Sequence, residues 1–249
     1  MPIKNYSFTN FTGVAVGGAF EVNVQQSESF SVVVEADDLT LQSIKVSQNG
    51  DTLKIGRKWD PLSWIPGSSR PKATITMPVL KGLSLSGATT GTASGFSSPE
   101  EFRMELSGAS RLNGDLETGE ATIELSGASR AELRGSSGDL VIKVSGASKV
   151  TGDMTAGNTR LHVSGASHVE LSGSGKALVV ETGGASNVKL GSFSTSDTDI
   201  RSGGASRTTV NVTGKLDAKL GGASVLRWKG EPTMGDIRTS GASRLEKNG

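Results

Sequence analysis

The sequence predicts an all-β fold, a single-stranded parallel β-helix (β-solenoid) of about 19 residues per coil. Three observations predict it. First, "SGAS" or a close variant recurs down the chain, with its glycine at Gly87, Gly108, Gly127, Gly146, Gly165, Gly184, Gly204, Gly222 and Gly241. The intervals are 21, 19, 19, 19, 19, 20, 18 and 19 residues, and self-similarity at such a period marks a solenoid. Second, the segments before the corners, such as "RMELS", "TIELS", "VIKVS" and "RLHVS", alternate polar and apolar residues with the period of a strand. Third, no segment carries an extended helical apolar period, so helix is excluded as the main element.

Each coil then reads in order. The strand before the corner turns Met104, Ile123, Ile142, Leu161, Val180 and Ile200 inward, with Leu106, Leu125, Val144 and Val163 two residues on. The corner glycine either takes a positive φ or lacks a Cβ that would strike the next coil. The following Ser or Thr forms a ladder from Thr89 through Ser110, Ser129 and Ser148 to Ser243, suited to hydrogen bonds between coils. After the corner, Ala131, Val150, Val169, Val188 and Leu245 face inward on a second strand. A second turn is marked by Gly119, Gly138, Gly157 or Gly175. Coils that wrap once per repeat stack parallel strands without crossover helices, giving a rod roughly 45–50 Å long.

We read one continuous domain. Residues 81–249 form the regular coils, and residues 1–80 form irregular coils that cap the same helix, with Gly18 at a fainter corner and Phe20 in the Ser position. A solenoid needs atypical ends because an open coil exposes an unpaired sheet edge. A loop over 56–72 interrupts the stack: "IGRKWDPLSWIPGSSRPK" holds Trp59, Trp64 and three prolines, which cannot serve a central ladder. Its tryptophans are expected either to cover the N-terminal end or to stack on sugar rings of a ligand.

Composition limits the partners. With 26 Lys and Arg against 25 Asp and Glu, no global field draws the chain to nucleic acid or an anionic membrane. The chain has no Cys, which excludes disulfides and thiolate metal sites. No apolar run is long enough to span a membrane, and "MPIKNYSFTN" lacks the apolar core of a signal peptide. The 34 Gly and only 11 aromatic residues imply an interior filled largely by small side chains.

Candidate chemistry lies on outward columns. Asp199, Asp217 and Asp236 fall in one column on successive coils, beside Arg201, Lys219 and Arg238. Such carboxylates could bind calcium or a glycan, or serve acid–base hydrolysis, but a solvated ion-pair lattice is the plainer expectation. A second column reads Arg111, Arg130, Lys149, His168, Asn187, Arg207, Val225 and Arg244. Beside it stand Asn113, Glu132, Thr151, Glu170, Lys189, Thr209, Arg227 and Glu246. The basic column suits an acidic glycan, whereas the interleaved Glu residues point to cross-strand ion pairs. His162 and His168 lie in different columns without a third ligand, so no transition-metal site is expected. The Ser ladder is not a set of nucleophiles, because no His and acid accompany it.

The order of segments "FTGVAVGGAFEVNVQQSESFSVVVEAD", "DTLKIGRK" and "ATITMPVLKGLSLSGAT", followed by the train of "SGAS" coils, resembles the GIN-domain family of bacterial putative adhesins. The resemblance spans essentially the whole chain. It implies a right-handed β-helix and an envelope, periplasmic or extracellular location behind a secretory or lipoprotein signal, but no catalytic residues. The expected function is therefore a non-enzymatic surface protein, an adhesion or ligand-binding module whose ligand sites are Trp59, Trp64 and the Asp199, Asp217, Asp236 face. Its partners would be a glycan or a cell-surface protein, and the coil ends could support oligomers. No cofactor is expected, with calcium the one candidate ion. Two alternatives are a pectinase-like polysaccharide enzyme using the Asp column, and a structural spacer.

Overall fold

The computed structural model describes residues 1–57 and 70–248, a solenoid of about 9 turns. The N-terminal segment holds β1 (Ile3–Tyr6), β2 (Gly13–Gly17), β3 (Glu21–Gln26), β4 (Ser31–Glu35), helix α1 (Asp38–Ser43), β5 (Ile44–Asn49) and β6 (Thr52–Arg57). β7 (Lys72–Met77) and β8 (Gly82–Ser86) lead into the long strands β9 (Thr90–Leu106), β10 (Arg111–Leu125) and β11 (Arg130–Val144). Then follow β12 (Lys149–Ala156), β13 (Thr159–Val163), β14 (His168–Ser174), β15 (Ala177–Thr182), β16 (Asn187–Thr195) and β17 (Asp197–Ser202). The last coils hold β18 (Arg207–Val212), β19 (Lys215–Leu220), β20 (Val225–Lys229), β21 (Thr233–Thr239) and β22 (Arg244–Lys247).

These strands stack in two parallel ladders that meet at the corners. The ladder before the corner passes from β8 through the C-terminal halves of β9, β10 and β11 to β13, β15, β17, β19 and β21. The ladder after the corner continues from β11 through β12, β14, β16, β18, β20 and β22. Period-two alternation turns one residue in two toward the axis, so Met104, Ile123, Ile142, Leu161, Val180 and Ile200 stack as a column, each at most 2% exposed. Gly119 and Gly138, expected at a second turn, lie inside the continuous β10 and β11. The chain leaves strand at the equivalent places only later, between β12 and β13 and between β14 and β15.

At the corners the nine repeat glycines have φ between +68° and +75°. The alanine that follows donates its backbone N–H to the carbonyl of the preceding coil's glycine, as in Ala128 to Gly108 at 2.7 Å. A Cβ at Gly127 would lie 2.5 Å from that same Gly108 oxygen. Both reasons for glycine therefore act together: left-handed backbone and close approach of the next coil.

The Ser ladder points inward. Thr89, Ser110, Ser129, Ser148, Ser167, Ser186, Ser206 and Ser224 are each at most 2% exposed. Buried hydroxyls need acceptors, and of the first seven all but Ser186 find a partner among the described residues, four of them in two ways. Ser110 and Ser129 donate to the carbonyls of Ser107 and Ser126 three residues back, whereas Ser148 and Ser167 donate to Gly127 and Gly146 on the preceding coil. Phe20 occupies the ladder position of the first corner and is fully buried.

At the N-terminal end the spatial order departs from chain order. β2 lies between β6 and β8, and β3 lies between β7 and β9. The coil made of β6 and β7 is thus outermost although it follows β2 and β3 in sequence. Antiparallel strands then cover its edges: β5 on β6, β4 on β7, and β1 on β4. Free parallel edges are thereby covered by antiparallel partners, which hides their unpaired backbone groups. Of the segment expected as a loop over 56–72, Gly56 and Arg57 belong to β6 and Lys72 to β7. Trp59 and Trp64 fall outside the described residues. At the other end β21 pairs with β19 and β22 with β20, and Ile237, Leu245 and Trp228 are only partly buried.

Candidate functional site: the outward faces of the coils

The face before the corner carries the Asp column. Asp199 and Asp217 stand opposite each other in register, and Asp236 follows one coil on across an irregularity between Leu216 and Ala218. Each carboxylate is engaged by a base. Arg201 bonds Asp199 at 2.9 Å, Lys215 bonds Asp217 at 2.8 Å, and Arg238 bonds Asp236 at 3.0 Å. Asp217 also accepts the backbone N–H of Asp236 at 2.6 Å. The hydrogen bond from Lys215, reinforced by this N–H, holds the Asp217 carboxyl below the ordinary carboxylate range, and the same bond raises the Lys215 ammonium. Lys215 was not among the bases that the sequence aligned with this column; it reaches Asp217 because residues two apart on a strand share a face.

Arg201 extends the network. It bonds Glu181 at 3.1 Å, and Glu181 in turn lies 3.0 Å from His162 Nδ1, whose N–H it accepts in the tautomer that carries the proton there. Among the described residues no three His, Asp or Glu side chains converge as a metal site.

The face after the corner differs. Its first outward column places Arg111, Arg130, Lys149, His168, Asn187, Arg207, Val225 and Arg244 in unbroken register. The sequence points to a lattice of ion pairs here, and the geometry departs from it. Glu132 turns to Arg134, two residues along its own strand, at 2.7 Å. Glu170 pairs with His168 and Lys189, and Glu246 with Arg227. The hydrogen bond from His168 is the largest cause of a lowered Glu170 pKa. The glutamates are thereby taken up by Arg134, His168, Lys189 and Arg227, and Arg111, Arg130, Lys149, Arg207 and Arg244 make no ion pair among the described residues. All five are exposed.

Over the later coils this face becomes concave. A groove of about 750 Å³ is lined by Gly152, Leu171 and Gly191 and has Lys189, Arg207, Arg227 and Lys229 as its cations. Glu170 is its one acid, and Thr151, Thr209, Asn187 and Asn248 are among the hydroxyl and amide residues that line it. Its wall coincides with a slip in the ladder. Leu190 pairs with Val210 but Ser194 pairs with Asn211, leaving Gly191, Ser192 and Phe193 without partners on β18. A coil of 20 residues from Gly184 is followed by one of 18 from Gly204, so neighbouring coils differ in girth at this point. That pair of intervals is the sequence signal of the groove, though neither its concavity nor Lys229 was expected.

No curated protein matches the sequence. Solved structures do. The chain is similar to a putative adhesin from Parabacteroides distasonis at 18% identity and a TM-score of 0.76, covering 99% of this chain and 96% of that one. It is similar to a putative lipid binding protein from the same organism at 13% identity and a TM-score of 0.75, covering 100% and 96% of the two chains. A putative adhesin from Parabacteroides merdae gives 14% identity and a TM-score of 0.75, with the same coverage. At such identities these likenesses carry the fold alone. The family model described as "Putative auto-transporter adhesin, head GIN domain" matches residues 10–156 and 136–232, and with its corners, ladders and capped first coil the chain belongs to that family.

Proposed function

We propose that the protein is a non-enzymatic adhesion module of the cell surface or envelope that holds an extended ligand along the face after the corner. The observation that carries this reading is the groove of about 750 Å³, whose cations, hydroxyls and amides are displayed on a stacked, in-register sheet. A rigid face of this kind binds without reorganising, which keeps the entropic cost of association low. The family description points the same way.

The polysaccharide-enzyme alternative is less well supported. A glycosidase needs a carboxylic acid that stays protonated near neutral pH, which requires a raised pKa. Asp217 is instead lowered by its bond from Lys215. No helix among the described residues is long and apolar enough to cross a membrane. Envelope attachment and the role of Trp59 and Trp64 remain part of the proposal.

The test is retention of the purified protein on cell-wall and host-glycan preparations, run beside an assay for new reducing or unsaturated ends on polygalacturonate with and without calcium. Saturable retention without cleavage is the expected result. Cleavage, or no retention on any preparation, would overturn the proposal.

A further inference from the structure

Like charges directly opposite on neighbouring strands destabilise a sheet. Yet Arg111, Arg130 and Lys149 stand opposite one another on three successive coils, with strands roughly 4.8 Å apart, and the nearby glutamates pair elsewhere. Past His168 and Asn187, Arg207 stands in the same column, and past Val225 so does Arg244, so the stripe's five cations are spread over about 34 Å of the rod. At its upper end Arg70 donates to the hydroxyl of Thr90, the residue above Arg111 in that column. At its lower end it passes the groove, where Lys189, Arg227 and Lys229 add charge beside Arg207. The whole chain has a net charge of only +1, so this face is a local departure from a balanced surface.

We infer that this stripe and groove bind a linear acidic polysaccharide lying along the rod axis. The inference rests on the proposed adhesion function and names its ligand. A chain with regularly spaced anions would offset the repulsion that the protein leaves uncompensated, and would place successive anions against successive coils. Two features select a polysaccharide over a nucleic acid. The stripe and the groove lining contain no Phe, Tyr or Trp on which successive bases could stack, and His168 is the one ring in the column. They are instead interleaved with Asn113, Thr151, Asn187 and Thr209, which exchange hydrogen bonds with sugar hydroxyls.

The test measures binding of the full chain to polygalacturonate, to heparin, to neutral dextran and to double-stranded DNA. The carboxylated and sulfated probes separate the two sources of anion. The expected result is binding to at least one acidic polysaccharide, weakened at least tenfold between about 50 and 200 mM salt. The triple variant Arg111→Ala, Arg130→Ala, Lys149→Ala should lose roughly tenfold or more in affinity. The variant Arg160→Ala, Lys176→Ala, Lys219→Ala removes the same charge from the strands before the corner and from the turn between β14 and β15, outside stripe and groove, and should bind as the parent does. Circular dichroism melts establish that both variants are folded. Equal loss in the two variants, or DNA bound as tightly as the polysaccharide, would overturn the inference as unspecific charge. Binding to dextran alone would overturn it while leaving the adhesion reading intact; no binding to any of these probes would overturn it, and failure on cell-wall preparations as well would remove both.

Discussion

The corner glycine shows how one residue type answers two separate demands. At Gly50, φ is +60° and a Cβ would meet nothing within 4 Å, so only the backbone conformation resists substitution. At Gly127, φ is +71° and the added carbon would also collide with the Gly108 carbonyl of the coil beneath. Gly50→Ala is therefore expected to cost about 1 kcal/mol. Gly127→Ala should cost at least about 2 kcal/mol more, because the stack must open or the corner must move. Urea unfolding midpoints of the two variants check this, and equal losses would mean that the coils yield at no cost. The buried serines are a milder case. Ser129 donates locally to the Ser126 carbonyl and its N–H faces Ser148 Oγ, so Ser129→Ala should remove about 1 kcal/mol without altering binding.

Among elements, the last coils link charge to stability. The Asp217 carboxyl is depressed by its bond from Lys215, so its contribution is complete above the ordinary value of 3.8 and is lost as pH falls through the depressed value. The raised Lys215 contributes below its ordinary value of 10.5 and loses its share only as pH climbs through the raised value. Asp217→Ala should therefore melt earlier than the parent at neutral pH, and the gap should close in acid, where the parent carboxyl is protonated. Thermal melts across that range test it; a gap that persists in acid would show that packing, not charge, is lost. The strands and corners could be read from the sequence because both obey fixed periods. The order β6, β2, β8 could not, because β2 and β6 alternate alike and periodicity does not say which neighbour a strand chooses. Cross-strand ion pairs were legible and two form, Glu170 with Lys189 and Glu246 with Arg227, but the choice of each partner was not, for a related reason. Glu132 can reach Arg134 along its own strand as readily as a cation on the next coil, and side-chain geometry decides.

For the whole molecule, a solenoid ties each coil only to its neighbours, so a charge placed in one column is felt mainly by the residues directly above and below it. This makes the basic stripe a stringent test of why the sequence keeps it. Arg130→Glu would set an acid between Arg111 and Lys149, converting two repulsive contacts into attractive ones. If the stripe served the fold, removing a member would cost stability. If it serves a polyanion, the substitution should stabilise the rod by about 0.2–1 kcal/mol while weakening binding to acidic polysaccharide. The stabilisation should be largest at low ionic strength and shrink as salt screens exposed charges beyond about 10 Å at 0.1 M. Melting temperature and affinity measured on the same protein, each over a salt series, separate the two accounts. Loss of both together would return the stripe to a structural role, whereas opposite signs would mean that the fold tolerates this repulsion for the sake of its ligand.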